Sequence, residues 1–183
     1  MGKTTVTKFR WFWAWQDEAE ENWLEKMSKK GYHLSSVGLP CFYTFSIAKP
    51  RNYAYRLDYQ MFRKKDKGEY LQLFSDAGWE HIGEMSAWQY FRKEAKPDEP
   101  TEIFTDVESK IAKYKRVLAF LGFFYLILMT LIFTQRLPHT LSDDPYPWWG
   151  NIPQAIIVLV LIFFIYAIIK LTIRIRQLRK TVR

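Results

Sequence analysis

Two uncharged apolar runs, Val117–Phe133 and Ile152–Ile169, constrain this chain more than any other feature. An α-helix rises about 1.5 Å per residue and the hydrocarbon layer of a bilayer is about 30 Å thick, so roughly 20 residues span it. The runs hold 17 and 18 residues, with Thr134 and Gln135 extending the first and only Gln154 interrupting the second. Pro153 falls in a first helical turn, where a missing N–H costs nothing. Neither run carries the polar stripe of a helix half-buried in a soluble core. The pattern predicts a transmembrane hairpin. Its parts are a juxtamembrane helix continuing into the first span (105–133), an outer loop (134–151), and a second span with a basic tail (152–183).

The net charge of +8 would suggest nucleic acid if it lay on a folded domain. It does not. Residues 1–109 carry 16 Lys/Arg against 17 Asp/Glu, and the excess lies beside the apolar runs. Lys110, Lys113, Lys115 and Arg116 precede the first run; Lys170, Arg174, Arg176, Arg179, Lys180 and Arg183 follow the second. Positive residues stay on the cytoplasmic side, so a multi-pass protein of the cell membrane with both termini inside is predicted. No nucleic-acid partner is expected. Lys115, Arg116, Lys170 and Arg174 should meet an anionic inner leaflet, and Trp148 and Trp149 should anchor the outer interface. Met1–Arg10 lacks the apolar core of a signal peptide, and the single Cys41 suits a reducing compartment.

The front part repeats itself. Trp23-Leu24-x-x-Met27-Ser28-x-x-Gly31-Tyr32 recurs 47 residues on as Tyr70-Leu71-x-x-Phe74-Ser75-x-x-Gly78-Trp79. Each copy opens with an acidic helix start, Asp17 with Glu20 and Asp66 with Glu69. Each closes at a glycine, Gly31 or Gly78, where a left-handed residue is needed. Alternating aromatic segments precede the helices, Phe9–Trp15 and Tyr53–Tyr59, and two strand-like stretches follow each. These are Tyr32–Val37 with Phe42–Ile47, and Trp79–Met85 with Trp88–Phe91. The reading is an α+β fold: a cytoplasmic domain over 1–96 of duplicated βαββ units, with an antiparallel-rich sheet and two helices on one face. A proline-bearing linker, 97–104, ends it, and Thr105-Asp106-Val107-Glu108 is a capping box for the helix entering the first span.

Phe12-Trp13-x-Trp15, Glu21-x-Trp23-Leu24-x-x-Met27 and Gly31 resemble a bacterial membrane family, domain of unknown function 2812. Tyr53-x-Tyr55-Arg56-Leu57, Asp76-Ala77-Gly78-Trp79 and Ile103–Ile111 extend the likeness over about residues 8–117. The resemblance implies a cytoplasmic domain followed by transmembrane helices. It supplies no activity and no functional residue. Tandem βαββ units are also similar in topology to GyrI-like effector-binding domains, which hold lipophilic or cationic small molecules in an aromatic pocket with a buried acid.

Chemistry is sparse. His33, His81 and His139 stand apart with no second ligand motif, so no metal is expected. Cys41 has no base near it in sequence, and no phosphate loop, nucleophile elbow or dinucleotide fingerprint occurs. Neither a cofactor nor an enzyme is expected. The anomaly is aromatic content, with six tryptophans in the first hundred residues. The face bearing Trp11, Trp13 and Trp15 is either core or a surface for a ligand or partner, together with Tyr53, Tyr55, Tyr59 and Trp88. Asp58 and Glu84 are the strand acids placed to face such a pocket, or are simply solvated. The expected function is a membrane-anchored, non-enzymatic sensor or regulator whose aromatic domain binds a small lipophilic molecule or a protein. The alternative is an accessory or scaffold subunit of a membrane complex that docks through its hairpin.

Overall fold

A computed structural model describes residues 4–62, 66–97, 99–104, 106–140 and 151–181. The chain divides into two compact units, Met1–Lys113 and Tyr114–Arg183. The first unit reaches beyond the expected boundary at residue 96, because Ile103 packs into its core and Lys113 is buried within it.

The first unit is the duplicated βαββ fold. Its elements are β1 (Thr5–Phe9), α1 (Asp17–Ser28), β2 (Tyr32–Gly38), β3 (Phe42–Ile47), β4 (Tyr53–Tyr59), α2 (Lys67–Asp76), β5 (Glu80–Met85) and β6 (Trp88–Glu94). Each repeat forms its own antiparallel three-stranded sheet with the same internal order, β1-β3-β2 and β4-β6-β5. The likeness extends to defects. β2 is irregular between Leu34 and Ser36, and β5 at the equivalent His81 and Gly83. Gly31 (φ +84°) and Gly78 (φ +81°) both take the left-handed conformation.

Two details depart from the sequence reading. The strands form two sheets rather than one, and the helices do not share a face. On β6, Tyr90 joins the core beneath α1 (Leu24, Met27) while its neighbour Phe91 joins the core beneath α2 (Phe74). Successive strand residues point to opposite faces, so α1 and α2 serve opposite sides of the second sheet. Secondly, β1 is Thr5–Phe9 and not Phe9–Trp15. Its partner β3 begins at Phe42, opposite Phe9, and Cys41 O takes the Arg10 N–H as the last rung. Beyond it the chain turns through Gly38–Pro40, so Trp11–Trp15 has no strand to pair with. The alternation of its tryptophans is carried by ring contacts instead: Trp11 edge-on to Trp13, and Trp13 stacked on Trp15.

α1 also seals a strand edge. β4 pairs with β6 on one side only. On its open side, Glu21 Oε1 accepts the Leu57 N–H at 2.8 Å and Lys113 Nζ donates to Leu57 O at 3.3 Å. Buried backbone groups at a free edge need such partners.

The second unit holds most of α3 (Val107–Thr140) and all of α4 (Asn151–Thr181). Both are long and apolar enough to cross a membrane. Asp106 caps α3, its Oδ1 accepting the Ser109 N–H at 2.6 Å; Thr105, the first residue of the expected capping box, lies outside the described residues. Phe123, Leu126, Phe133, Leu159 and Ile162 are exposed, while Ala167, Leu171 and Ile175 form a buried stripe on α4. The Thr130 and Thr172 hydroxyls donate to the carbonyls of Leu126 and Ile168 one turn back, so neither needs an outside partner. Lys115 and Lys170 are exposed; Arg116 and Arg174 are half-buried. α3 runs on to Thr140, so residues 134–140 of the expected outer loop are helical; Trp148, Trp149 and the rest of that loop, 141–150, lie outside the described residues.

Candidate functional site

The buried face of α1 determines the site. Asp17, Glu20, Glu21, Leu24, Met27 and Ser28 are all buried and follow one another three or four residues apart, a single helical stripe. Its C-terminal half packs the core. Its N-terminal half brings three carboxylates inside the domain, where charge is costly unless paired. Asp17 receives Lys113 Nζ at 2.5 Å. Glu21 accepts the Leu57 N–H and lies 3.9 Å from Arg56, which also binds Glu25 at 2.7 Å.

Glu20 is different. Its Oε1 accepts hydrogen bonds from the Tyr43 and Tyr90 hydroxyls, each at 2.7 Å. Oε2 has no hydrogen-bond partner, and Glu20 forms no ion pair among the described residues. Burial pushes its carboxyl up to about 7; the Tyr90 and Tyr43 hydroxyls hold it down in part, and the charge of Asp17 adds to the rise. Burial and the charge of Glu20 raise both phenols well above their usual range, so they stay protonated and remain donors. Burial likewise lifts Glu21 to about 8, against the attraction of Lys113.

Glu20 opens onto a cavity of about 240 Å³. Its acidic lining is Asp17 and Glu20; its walls include Trp11, Trp13 and Trp88, and Leu39, Pro40 and Met85 contribute from the turns. The two repeats build it together: Tyr43 comes from β3 of the first and Tyr90 from β6 of the second, and both bind one oxygen of α1. A cavity with aromatic walls and an unpaired carboxylate suits an apolar cation. The rings offer their negative faces and the carboxylate offers the counter-charge.

Of the residues singled out from sequence, Trp11, Trp13 and Trp88 line this cavity. Trp15 stacks behind Trp13, and Tyr59 lies edge-on to Trp88 at 5.3 Å. Tyr55 is core, its hydroxyl accepting the Leu34 N–H, and Tyr53 packs edge-on to His33. Neither acid chosen from the strands lines the cavity. Asp58 faces away and accepts the Tyr70 hydroxyl at 2.9 Å. Glu84 pairs with Lys67 at 2.8 Å in an exposed position, and that lysine with Gln89 holds its carboxyl below the usual range. The cavity acids come from α1 instead. Glu20 read only as a helix-start residue, yet its spacing from Leu24 and Met27 puts it on their face. Tyr43 and Tyr90 carry no such signal, because only the docking of the two repeats brings them together.

His33 is also accounted for: its ring nitrogens sit 3.3 Å from Ser28 Oγ and 2.8 Å from Lys49 O. No group of three or more His, Cys, Asp or Glu could hold a metal ion among the described residues. Residues 16–126 match the family model described as "Protein of unknown function (DUF2812)", and the chain belongs to that family. No curated protein and no solved structure matches it.

Proposed function

We propose that this DUF2812 protein is a membrane-anchored, non-enzymatic sensor or regulator whose front domain binds a small lipophilic organic cation. The carrying observation is Glu20, a buried carboxylate without a counter-ion among the described residues, opening onto a cavity walled by three tryptophans. Two long apolar helices with basic flanks support the membrane anchor, and the placement of those flanks supports cytoplasmic termini. Binding would place the ligand's cationic head against Glu20 and its apolar body against Trp11, Trp13 and Trp88.

The test compares benzyltrimethylammonium with its uncharged isostere neopentylbenzene, using the full chain in lipid nanodiscs and tryptophan fluorescence as readout. Saturable quenching by the cation alone, weakened at least about tenfold in Glu20→Gln, is the expected result; tenfold corresponds to about 1.4 kcal/mol, within the worth of a charge-assisted contact. Equal response to both compounds, or an unchanged response in the variant, sinks the reading.

A further inference from the structure

Glu20 offers the cavity a single oxygen. Oε1 already accepts the Tyr43 and Tyr90 hydroxyls, at 2.7 Å each, which fills both of its lone-pair positions. Oε2 makes no hydrogen bond or ion pair with any described residue. Nor is it sealed: among the described residues, the sealed side-chain nitrogen or oxygen without a hydrogen bond is Arg56 Nε. Glu20 is 5% exposed and lines the cavity, so the open side of Oε2 is the cavity side. The clamp is stiff. Tyr43 and Tyr90 are fully buried, each on a strand of a different repeat, so the carboxylate cannot turn to present both oxygens.

One free oxygen sorts amines by their N–H groups. The N–H bonds of an ammonium diverge at the tetrahedral angle, so one nitrogen gives one oxygen one straight hydrogen bond. A tertiary ammonium has a single N–H and spends it on Oε2, in a charge-assisted bond. A quaternary ammonium has none; its methyl groups hold the charge away from Oε2 and leave that oxygen without a donor. A primary ammonium has two N–H groups left over. Within the cavity these would face Trp11, Phe12, Trp88, Leu39 and Pro40, whose side chains contain no acceptor, since an indole N–H only donates. The other carboxylate on the wall, Asp17, is already bound at Oδ2 by Lys113. Each N–H taken from water without an acceptor weakens binding. The ring faces suit the carbon substituents of a tertiary ion, over which its charge is spread.

We infer that the cavity selects tertiary ammonium ions, with the single N–H bound to Glu20 Oε2 and the carbon substituents lodged against the aromatic walls. This rests on the cation-binding reading above and narrows it to one class of amine. Tyr43 and Tyr90 are then specificity-determining residues. By occupying Oε1 they remove the second acceptor that a primary amine would need.

Benzylammonium, benzyldimethylammonium and benzyltrimethylammonium share one aromatic frame and carry three, one and no N–H groups. Their affinities for the full chain in lipid nanodiscs are read by tryptophan fluorescence, with empty nanodiscs as reference. The measurement is made at about pH 8, where Glu20, raised to about 7, is ionised and the amines still carry their protons. The tertiary ion should bind about tenfold more tightly than either of the others, the scale of one charge-assisted bond gained or one donor stranded. In Glu20→Gln, whose amide turns its N–H groups toward the cavity, tertiary and quaternary ions should bind equally. Tyr90→Phe keeps the ring and frees a lone pair of Oε1 at the cavity wall, so the primary ion should gain about fivefold on the tertiary one. A quaternary ion bound as tightly as the tertiary one by the parent overturns the inference and leaves the cation reading standing. So does a tertiary preference that persists in Glu20→Gln, which assigns it to size, or a primary-to-tertiary ratio unchanged in Tyr90→Phe. Absence of a saturable response to all three ions overturns both.

Discussion

Lys113 and Asp17, far apart in sequence, form an ion pair in which both side chains are almost wholly buried, 5% and 2% exposed. The lysine comes from the helix that leads into the first apolar run, and the aspartate opens α1. Lys113 donates to Leu57 O as well and lies over the Phe104 ring at 5.4 Å, so groups of the first unit stand in for water around its charge. Removing one partner of such a pair strands the other.

Lys113→Met should therefore destabilise the first unit by about 3 kcal/mol, the lower end for breaking a buried pair. Asp17→Asn added to it should restore a large part of that loss, because the stranded charge is then gone. Chemical unfolding of both variants in nanodiscs measures the difference, and additive losses would contradict the pairing.

Stability should fall with rising pH across the range where Glu20 and Glu21 titrate. Both carboxyls are raised in the folded state, to about 7 and about 8 from 4.5. A raised carboxyl binds its proton more tightly when folded. Its contribution is thus fully present below about pH 4.5 and is lost as pH climbs through the folded value. The decline should run from about pH 5 to pH 8. Glu20→Gln keeps an oxygen to accept from Tyr43 and Tyr90 and cannot ionise, so it should be more stable than the parent at pH 8 by about 3 kcal/mol, from about 1.4 kcal/mol per pH unit. At pH 4.5 the two should be equal. A variant less stable than the parent at pH 8 would show that the ionised Glu20 is stabilised by something other than its tyrosines.

The same titration should appear in ligand affinity with opposite sign. A cation needs Glu20 ionised, so benzyltrimethylammonium should bind about tenfold more tightly at pH 8 than at pH 6, by linkage to a carboxyl near pH 7. Asp17, the other acid lining the cavity, is offset by Lys113, and Glu21 is turned to the Leu57 N–H at the strand edge. Trp88→Ala should cost about fivefold at either pH, equivalent to the 1 kcal/mol of one cation–ring contact. Titration calorimetry at the two pH values separates the carboxylate from the ring.

The sequence made the repeat legible because its grammar is local. Gly31 and Gly78, the alternation of Tyr53–Tyr59 and the turn before Phe42 each specify backbone conformation within a few residues. The apolar runs were equally plain, since an uncharged run of that length without a proline in its middle specifies one long apolar helix. The site was less legible, for two reasons. Trp11–Trp15 kept a strand's period after its pairing partner had ended, so periodicity pointed to a strand that hydrogen bonding could not support. And Glu20 acquires its character from Tyr43 and Tyr90 of different repeats, a contact that no local pattern encodes. A charged residue on the apolar stripe of α1 was the available signal.

The two cap glycines, alike in sequence, should differ in tolerance. Both have positive φ, so any side chain there costs about 1–2 kcal/mol in backbone strain. At Gly31 an added Cβ would also lie 2.5 Å from Ala48 O, a backbone atom of the residue whose N–H binds Gly31 O. At Gly78 it would meet only the flexible end of Lys93 at 3.5 Å, an ordinary contact. Gly78→Ala should thus lose little beyond the strain. Gly31→Ala must also push the β3–β4 connection away from the end of α1, disturbing the Gly31 O to Ala48 N–H bond at 3.0 Å, and should lose about 2 kcal/mol more, the scale of a buried polar group left unpaired. Paired denaturant titrations decide it, and equal losses would mean that the connection yields freely.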